Sequence, residues 1–271
     1  MNDRMEYMVR GWAYTAHCLN PFRSTIPISG LPLGLKLRAY KRDAVGRGLY
    51  RRKIHEPALT NLLLSRFASP ADRYFLDIGA NIGYFSCLMG KLAGASGKVL
   101  AVEPEPANFN LLKQNLKLNN MENVAVHACA LGAQSGSARL GLYKPSNRGR
   151  HSIVDASART SIEVPVRTLD EIVEAAGLQN ARWALMKMDV EGYERFVLQG
   201  AKKTLPHVET LVMEYSPELL KKAGLDPAAV LDLLKPGFKQ VRRIAGSELV
   251  PTTIEDCSKE TNQVELVFHR E

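Results

Sequence analysis

The chain has 271 residues, 45% hydrophobic and 24% charged, a composition that excludes disorder as its main state and leaves room for one large domain with an appendage. Thirty-six Lys and Arg against 28 Asp and Glu give a formal net charge of +8. Residues 1–70 hold 12 of those bases and only 4 of the acids, so the whole positive excess precedes residue 71.

The first 35 residues contain Pro21, Pro27, Pro32, Gly30 and Gly34 without a sustained hydrophobic period, which predicts an extended arm or a loosely packed cap. The start, MNDRMEYMVRGWAY, lacks the apolar region of a signal peptide. No window reaches the ~18 apolar residues of a membrane-spanning helix. Cys18, Cys87, Cys129 and Cys257 lie far apart with no CxxC pair, which argues against a disulfide framework or a structural zinc site. A cytoplasmic protein with no transmembrane segment is expected. Peripheral membrane contact through the basic segment stays open, and the oligomeric state is not legible. Leu59, Leu62, Leu63 and Phe67 predict a helix that closes this basic cap at residues 1–70.

From Tyr74 the pattern is α/β, with short apolar runs alternating with amphipathic stretches in a domain spanning residues 71–271. Strands are predicted at Tyr74 to Ile78, Lys98 to Val102, Val124 to His127, Trp183 to Met188 and Thr210 to Met213. Helices are predicted at Tyr84 to Leu92, Ala107 to Leu118, Leu169 to Ala176, Tyr193 to Lys203, and Pro217 to Leu234 with a break at Gly224 to Pro227. Such alternation builds a mostly parallel sheet with helices on both faces. Two closing runs, Phe238 to Ile244 and Val264 to Phe268, have no clear helix between them and should pair antiparallel at one edge. Between about 133 and 167, alternating runs flank the polar stretch KPSNRGRHSIVDASAR, which reads as an inserted β-hairpin whose Pro165 restricts its strand to a sheet edge.

Three motifs fall at strand ends. In FLDIGANIGYFS, Asp77 closes a strand, and Gly79, Ala80, Asn81 and Gly83 make the turn into a helix. Glycines there admit a ligand close to the backbone, beside the free N–H groups of a helix N-terminus. The spacing is D-x-G-x-x-x-G, and an acid in the turn repels a pyrophosphate while suiting an amine. This favours an amino-acid-bearing nucleoside such as S-adenosyl-L-methionine over a nicotinamide dinucleotide. Glu103 and Pro104 follow the next strand, and a carboxylate there can accept both ribose hydroxyls. LMKMDVEGYE then delivers Asp189 and Glu191 to the carboxyl edge, and Glu214 arrives with the neighbouring strand in LVMEYSP. These three acids are candidates to hold a divalent cation such as Mg²⁺, or to act as a general base. Glu194, in the first turn of a helix, reads as a cap. His151, in SNRGRHSIV, is a third candidate base.

The chain resembles the FkbM-type S-adenosylmethionine-dependent methyltransferases in DIGANIGYFS, VEPEP, the ALG of 130–132, TLDEI at 168–172, MKMDVEGYE and VMEYS, from Asp77 to Ile244. The resemblance implies a class I methyltransferase Rossmann-like fold with a mostly parallel seven-stranded sheet. It also implies O-methylation of a hydroxyl on a glycan, glycolipid or related natural product. Cofactor contacts then fall to Asp77, Gly79, Ala80, Asn81, Gly83, Glu103, Pro104, Ala130 and Asp189, and catalysis to Asp189, Glu214 or His151. The family often has Asn where this chain has Ala128 and Cys129. Methylation of RNA has only the basic N-terminus in its favour, so nucleic acid is not the expected partner, and a non-catalytic cofactor-binding domain is the other alternative. The run LYRRKIHE, residues 49–56, suits a phosphorylated or otherwise anionic acceptor.

Overall fold

A computed structural model of the protein describes residues 3–19, 24–69, 71–144, 146–153, 160–246 and 248–270. Pro21 and the end of the polar stretch, 154–159, lie outside the described residues. Where an extended arm was expected, the N-terminal segment is folded and packed. Helix α1 (Asp3–Leu19) precedes a hairpin of β1 (Thr25–Ile28) and β2 (Leu37–Tyr40), followed by α2 (Ala44–Arg52) and α3 (Pro57–Arg66). Ile26, Ile28, Leu37 and Ala39 alternate inward along the hairpin and are 0–2% exposed. The side chains of Asn115 and Asn119 extend this packing. Asn115 accepts from Arg38 N–H at 2.7 Å and donates to Arg38 O at 2.9 Å, and Asn119 does the same for Lys36.

The central sheet is α/β as expected. In chain order come β3 (Tyr74–Ile78), α4 (Tyr84–Leu92), β4 (Lys98–Val102), α5 (Pro106–Leu118), β5 (Val124–His127), and the short β6 (Ala130–Leu131) and β7 (Gly136–Leu142). They are followed by β8 (Thr160–Arg167), α6 (Leu169–Ala175), β9 (Trp183–Met188), α7 (Glu194–Gln199), β10 (Thr210–Tyr215), α8 (Pro217–Lys222) and α9 (Ala228–Asp232). The last elements are β11 (Gln240–Ala245), β12 (Glu248–Thr252), α10 (Ile254–Cys257) and β13 (Val264–His269). Eight strands line up as β12-β11-β13-β10-β9-β3-β4-β5, and β3, β4, β5, β9 and β10 are parallel.

Seven of these strands are the predicted ones. The eighth, β12, carries Pro251 and forms a hairpin with β11 at the sheet edge, where a missing N–H costs no ladder bond. The antiparallel β13 is therefore not the edge but sits between β10 and β11. The two faces have separate cores. Phe75, Val99, Leu185 and Val212 point to one face with the N-terminal segment, α4 and α5. Leu76, Leu100, Met186 and Met213 point to the other with α6 to α9. Residues 1–70 thus supply part of a layer the sheet needs.

The insertion is a small sheet of its own, β6-β8-β7, around Ala130, Leu140, Val164 and Val166. β8 is its middle strand, not an edge. Pro165 is tolerated because β6 reaches only Val166 and Arg167, leaving Pro165 opposite β7 alone. Among the described residues, no helix is long and apolar enough to cross a membrane.

Candidate functional site

The chain builds β3, β4 and β5 outward and then returns to place β9 and β10 on the other side of β3. Connections leaving β3 and β9 diverge, which opens a crevice at the carboxyl edge between them. The turn after β3 meets the turn after β9 backbone to backbone. Gly79 has φ 81°, and a Cβ there would come 1.9 Å from the Asp189 carbonyl oxygen, so glycine is required twice over. Asp189 N–H closes the join by donating to Ile78 O at 3.0 Å.

A cavity lies over this join. Gly79, Asn81, Glu103 and Pro104 line one side, Cys129, Ala130 and Leu140 form an apolar side, and Asp189, Val190 and Glu191 form another. The insertion contributes Arg148, Gly149 and His151 to the same wall. Glu103 is held firmly: Oε2 accepts Asn81 N–H at 2.8 Å and Oε1 accepts Glu105 N–H at 2.9 Å. Burial pushes its pKa up to about 7, against the pull of those two amides. A carboxylate has about four acceptor positions, so two remain for a diol. Among the described residues, three polar atoms of the lining are buried without a hydrogen-bond partner: Asn108 Oδ1, His151 Nε2 and Glu191 Oε2. Asn81 (φ 51°) and Glu191 (φ 50°) are left-handed without being glycine. Such conformations cost of order 1–3 kcal/mol each and cluster at functional sites. This mixture of apolar wall, fixed carboxylate and orphaned donors and acceptors fits a nucleoside bearing an amino acid.

The predicted residues divide. Gly79, Asn81, Glu103, Pro104, Ala130, His151, Asp189 and Glu191 all line the cavity. Ala80 lines a small neighbouring pocket with Gly79, Asn81, His55, Glu56, Lys187 and Asp189. Gly83 instead faces Leu112, where a Cβ would come within 2.4 Å of that side chain. Asp77 is fully buried beneath the turn and accepts the Ser86 hydroxyl at 2.5 Å, and burial raises its pKa. It supports the turn from below. Glu194, expected to cap its helix, instead accepts the N–H of Gly192 at 2.9 Å, before the start of α7, and so holds the turn that follows β9.

His151 is turned the other way from a base. Tyr143 N–H donates to its Nδ1 at 2.9 Å, so the neutral ring carries its proton on Nε2. Burial lowers its pKa and keeps it neutral. It is a hydrogen-bond donor at the cavity, not the expected proton acceptor.

The carboxylates do converge. Asp189, Glu191 and Glu214 each bring an oxygen within 4.8 Å of the others, a donor set that suits a hard divalent cation. Lys187, 4% exposed, reaches Asp189 Oδ2 at 3.1 Å. Burial would lower the lysine, but Asp189, Glu56 and Asp77 raise it, so it stays charged. Burial and the neighbouring Asp189 charge push Glu191 up to about 8, and burial with Asp189 and Glu191 pushes Glu214 up to about 10. Both hold protons at neutral pH.

His55 and Glu56 were not foreseen as site residues. They approach from the N-terminal segment, and only the tertiary fold brings them within reach of Asp189. The basic run that was expected to serve the acceptor turns elsewhere. Arg51 lies over the Tyr14 ring and Lys53 over Tyr50, against α1.

Residues 77–244 match the family model described as "Methyltransferase FkbM domain". "2-O-methyltransferase NoeI" of Sinorhizobium fredii is 38% identical over 203 residues, covering 67% of this chain and 80% of that protein. "Methyltransferase 1" of Beauveria bassiana is 32% identical over 150 residues, 48% of this chain and 59% of that protein. "Hexuronic acid methyltransferase AglP" of Haloferax volcanii is 29% identical over 163 residues, 60% of this chain and 62% of that protein. The chain thus spans about three fifths of the length of two of these three relatives.

Proposed function

Because the chain belongs to the FkbM methyltransferase family, we propose that it transfers the methyl group of S-adenosylmethionine to a hydroxyl of a glycan, glycolipid or related natural product. The observation that carries this reading is Glu103, clamped by two amides beside the Gly79 turn with acceptor positions to spare. Glu103 takes the ribose hydroxyls, and the apolar side at Cys129, Ala130 and Leu140 takes the adenine. His151 Nε2 donates and Asn108 Oδ1 accepts, which suits a base edge or ribose oxygens. The relatives named for 2-O-methyl and hexuronic acid methyl transfer favour a sugar hydroxyl.

Transfer is an in-line displacement. The acceptor oxygen forms a bond to the methyl carbon as the carbon–sulfur bond breaks, the electron pair stays on sulfur, and S-adenosylhomocysteine leaves as a neutral thioether. The hydroxyl proton goes to Asp189, whose Oδ2 is held by Lys187. Positioning the acceptor behind the methyl group supplies as much as ~7–11 kcal/mol. A base adds about 10²–10⁴-fold.

Purified protein should bind S-adenosylhomocysteine and transfer a labelled methyl group. Asp189→Asn should cut kcat at least 100-fold at saturating S-adenosylmethionine. Failure of the wild type to bind S-adenosylhomocysteine, measured by calorimetry, would refute the reading. In a second arm, Asp189, Glu191 and Glu214 would hold a divalent cation such as Mg²⁺, Glu191 and Glu214 giving up their protons on ligation, and the ion would supply Lewis acidity toward the acceptor hydroxyl. A rate unchanged by EDTA and by added Mg²⁺ removes that arm.

A further inference from the structure

Beyond the cofactor cavity the carboxyl edge continues into an outer groove lined by Glu56, Glu214 and Glu265. The opposite edge of the sheet, where β9 and β10 begin and β13 ends, carries a pocket of the reverse character. Arg182 precedes β9, Glu209 precedes β10, His269 and Arg270 stand at the end of β13, and Arg66 arrives from the end of α3. The six-residue strands β9 and β10, about 20 Å long, separate this pocket from the carboxyl edge. Nothing small that binds in it can touch the cofactor cavity.

The charges here are unbalanced. Three arginines share the lining with one acid, Glu209, and among the described residues none of the four forms an ion pair. Arg66 and Arg182 are exposed. Arg270 is fixed in place: Nε donates to Val208 O at 2.9 Å, Nη2 donates to Leu205 O at 2.7 Å, and the guanidinium lies over the Phe238 ring at 4.8 Å. Carbonyl oxygens orient a guanidinium without cancelling its charge.

His269 is the buried polar group of the pocket. It is 7% exposed, and its Nδ1 lies 3.1 Å from the Thr210 hydroxyl. Burial and the charges of Arg66 and Arg242 push its pKa down to about 4, so the ring is neutral at physiological pH. With Thr210 donating to Nδ1, the ring proton sits on Nε2, which has no partner among the described residues. The pocket thus gathers donors and positive charge from four elements and lacks the acceptor to match.

We propose that this pocket binds the phosphate group of a small phosphorylated molecule, with Arg66, Arg182 and Arg270 neutralising its charge and His269 Nε2 donating to one of its oxygens. Phosphate suits the set because its oxygens accept from several donors at once, and a planar guanidinium presents paired N–H groups to them. The bound group ties α3 to the starts of β9 and β10 and the end of β13, so it acts on the stability of the fold and not on the transfer step. Its test requires no methyl transfer and stands apart from the methyltransferase reading.

Inorganic phosphate and pyrophosphate are titrated into the full-length protein by calorimetry in about 0.15 M NaCl at neutral pH. Pyrophosphate, the more highly charged, should bind saturably and more tightly than phosphate. At ten times its Kd it should raise the melting temperature by about 3–6 °C over NaCl of equal ionic strength. Arg66→Gln, Arg182→Gln and His269→Phe should each weaken binding about fivefold or more. Glu209→Gln, which removes the opposing charge, should tighten it about threefold, and this gain cannot come from a misfolded variant. The proposal is overturned by the absence of saturable binding, by a melting shift that NaCl reproduces, by binding unchanged in the Arg66→Gln, Arg182→Gln double variant, or by a Glu209→Gln variant that binds no better than the wild type.

Discussion

The two ends of the cleft are built in opposite ways. At the cofactor end, a carboxylate is held by backbone amides two residues and 22 residues away, and the wall is made by turns that directly follow β3, β4 and β9. In the outer groove, carboxyl groups crowd one another, and the walls come from residues 56, 214 and 265, which only the finished fold brings together. The first arrangement orients one carboxylate, Glu103, with main-chain amides. The second is lined by side chains from distant parts of the chain.

Breaking the junction should have the largest effect. Gly79→Ala forces a Cβ to 1.9 Å from the Asp189 carbonyl at φ 81°. It should cost roughly 2–5 kcal/mol of stability in denaturant titration and abolish S-adenosylhomocysteine binding. If the variant melts like the wild type, the two ends are not joined there. Next, Glu103→Gln should weaken S-adenosylhomocysteine at least thirtyfold, the worth of one or two hydrogen bonds to a charged group. Acceptor KM should hold, and a parallel rise in both constants would erase the division drawn above.

The pH dependence is a gentler probe of the same residue. Glu103 ionises in the folded protein near pH 7, above the ordinary carboxylate value. Below about pH 4.5 it is protonated whether folded or not and costs nothing. Between 4.5 and 7 the unfolded chain releases its proton first, so free-protein stability falls as pH rises, with the full penalty above 7. A ligand that bonds only the carboxylate gains what the free protein loses. The S-adenosylhomocysteine affinity should rise about tenfold from pH 6 to pH 8, and Glu103→Gln should flatten that slope. Smallest of all, Arg52→Glu on the exposed side of α2 should change neither cofactor affinity nor transfer by more than twofold. A tenfold loss would return the basic run to the acceptor side.

The same contrast decides what could be read from the sequence. Gly79, Glu103 and Asp189 were legible because each lies within a residue or two of a strand end, and strand ends are marked by apolar runs. Nothing local marks Glu56 or Glu265 as partners of Glu214, since two hundred residues separate the first from the last. The N-terminal hairpin was missed because its strands are only four residues long and interrupted by Pro27. The inward alternation of Ile26 with Ile28, and of Leu37 with Ala39, was the available signal. Helix α1 was missed because, among its side chains with described burial, Tyr14 is the one that is buried, supported by a half-buried Cys18. β12 was hidden by Pro251, a residue that an edge tolerates and an inner strand does not.

Asp43 ties the N-terminal segment to the roof of the cavity. Its Oδ2 caps α2 through Val45 and Gly46 N–H, while Oδ1 accepts Arg148 N–H at 2.8 Å, and Ala44 N–H donates to Ser146 O at 3.0 Å. The strip of insertion carrying Gly149 and His151 therefore docks onto a helix start formed a hundred residues earlier in the chain. A gene trimmed to the limits of the family domain would lose that mooring, and with it the orientation of the roof. The folded unit that carries this roof is then larger than the stretch matched by the family model, and begins no later than residue 43.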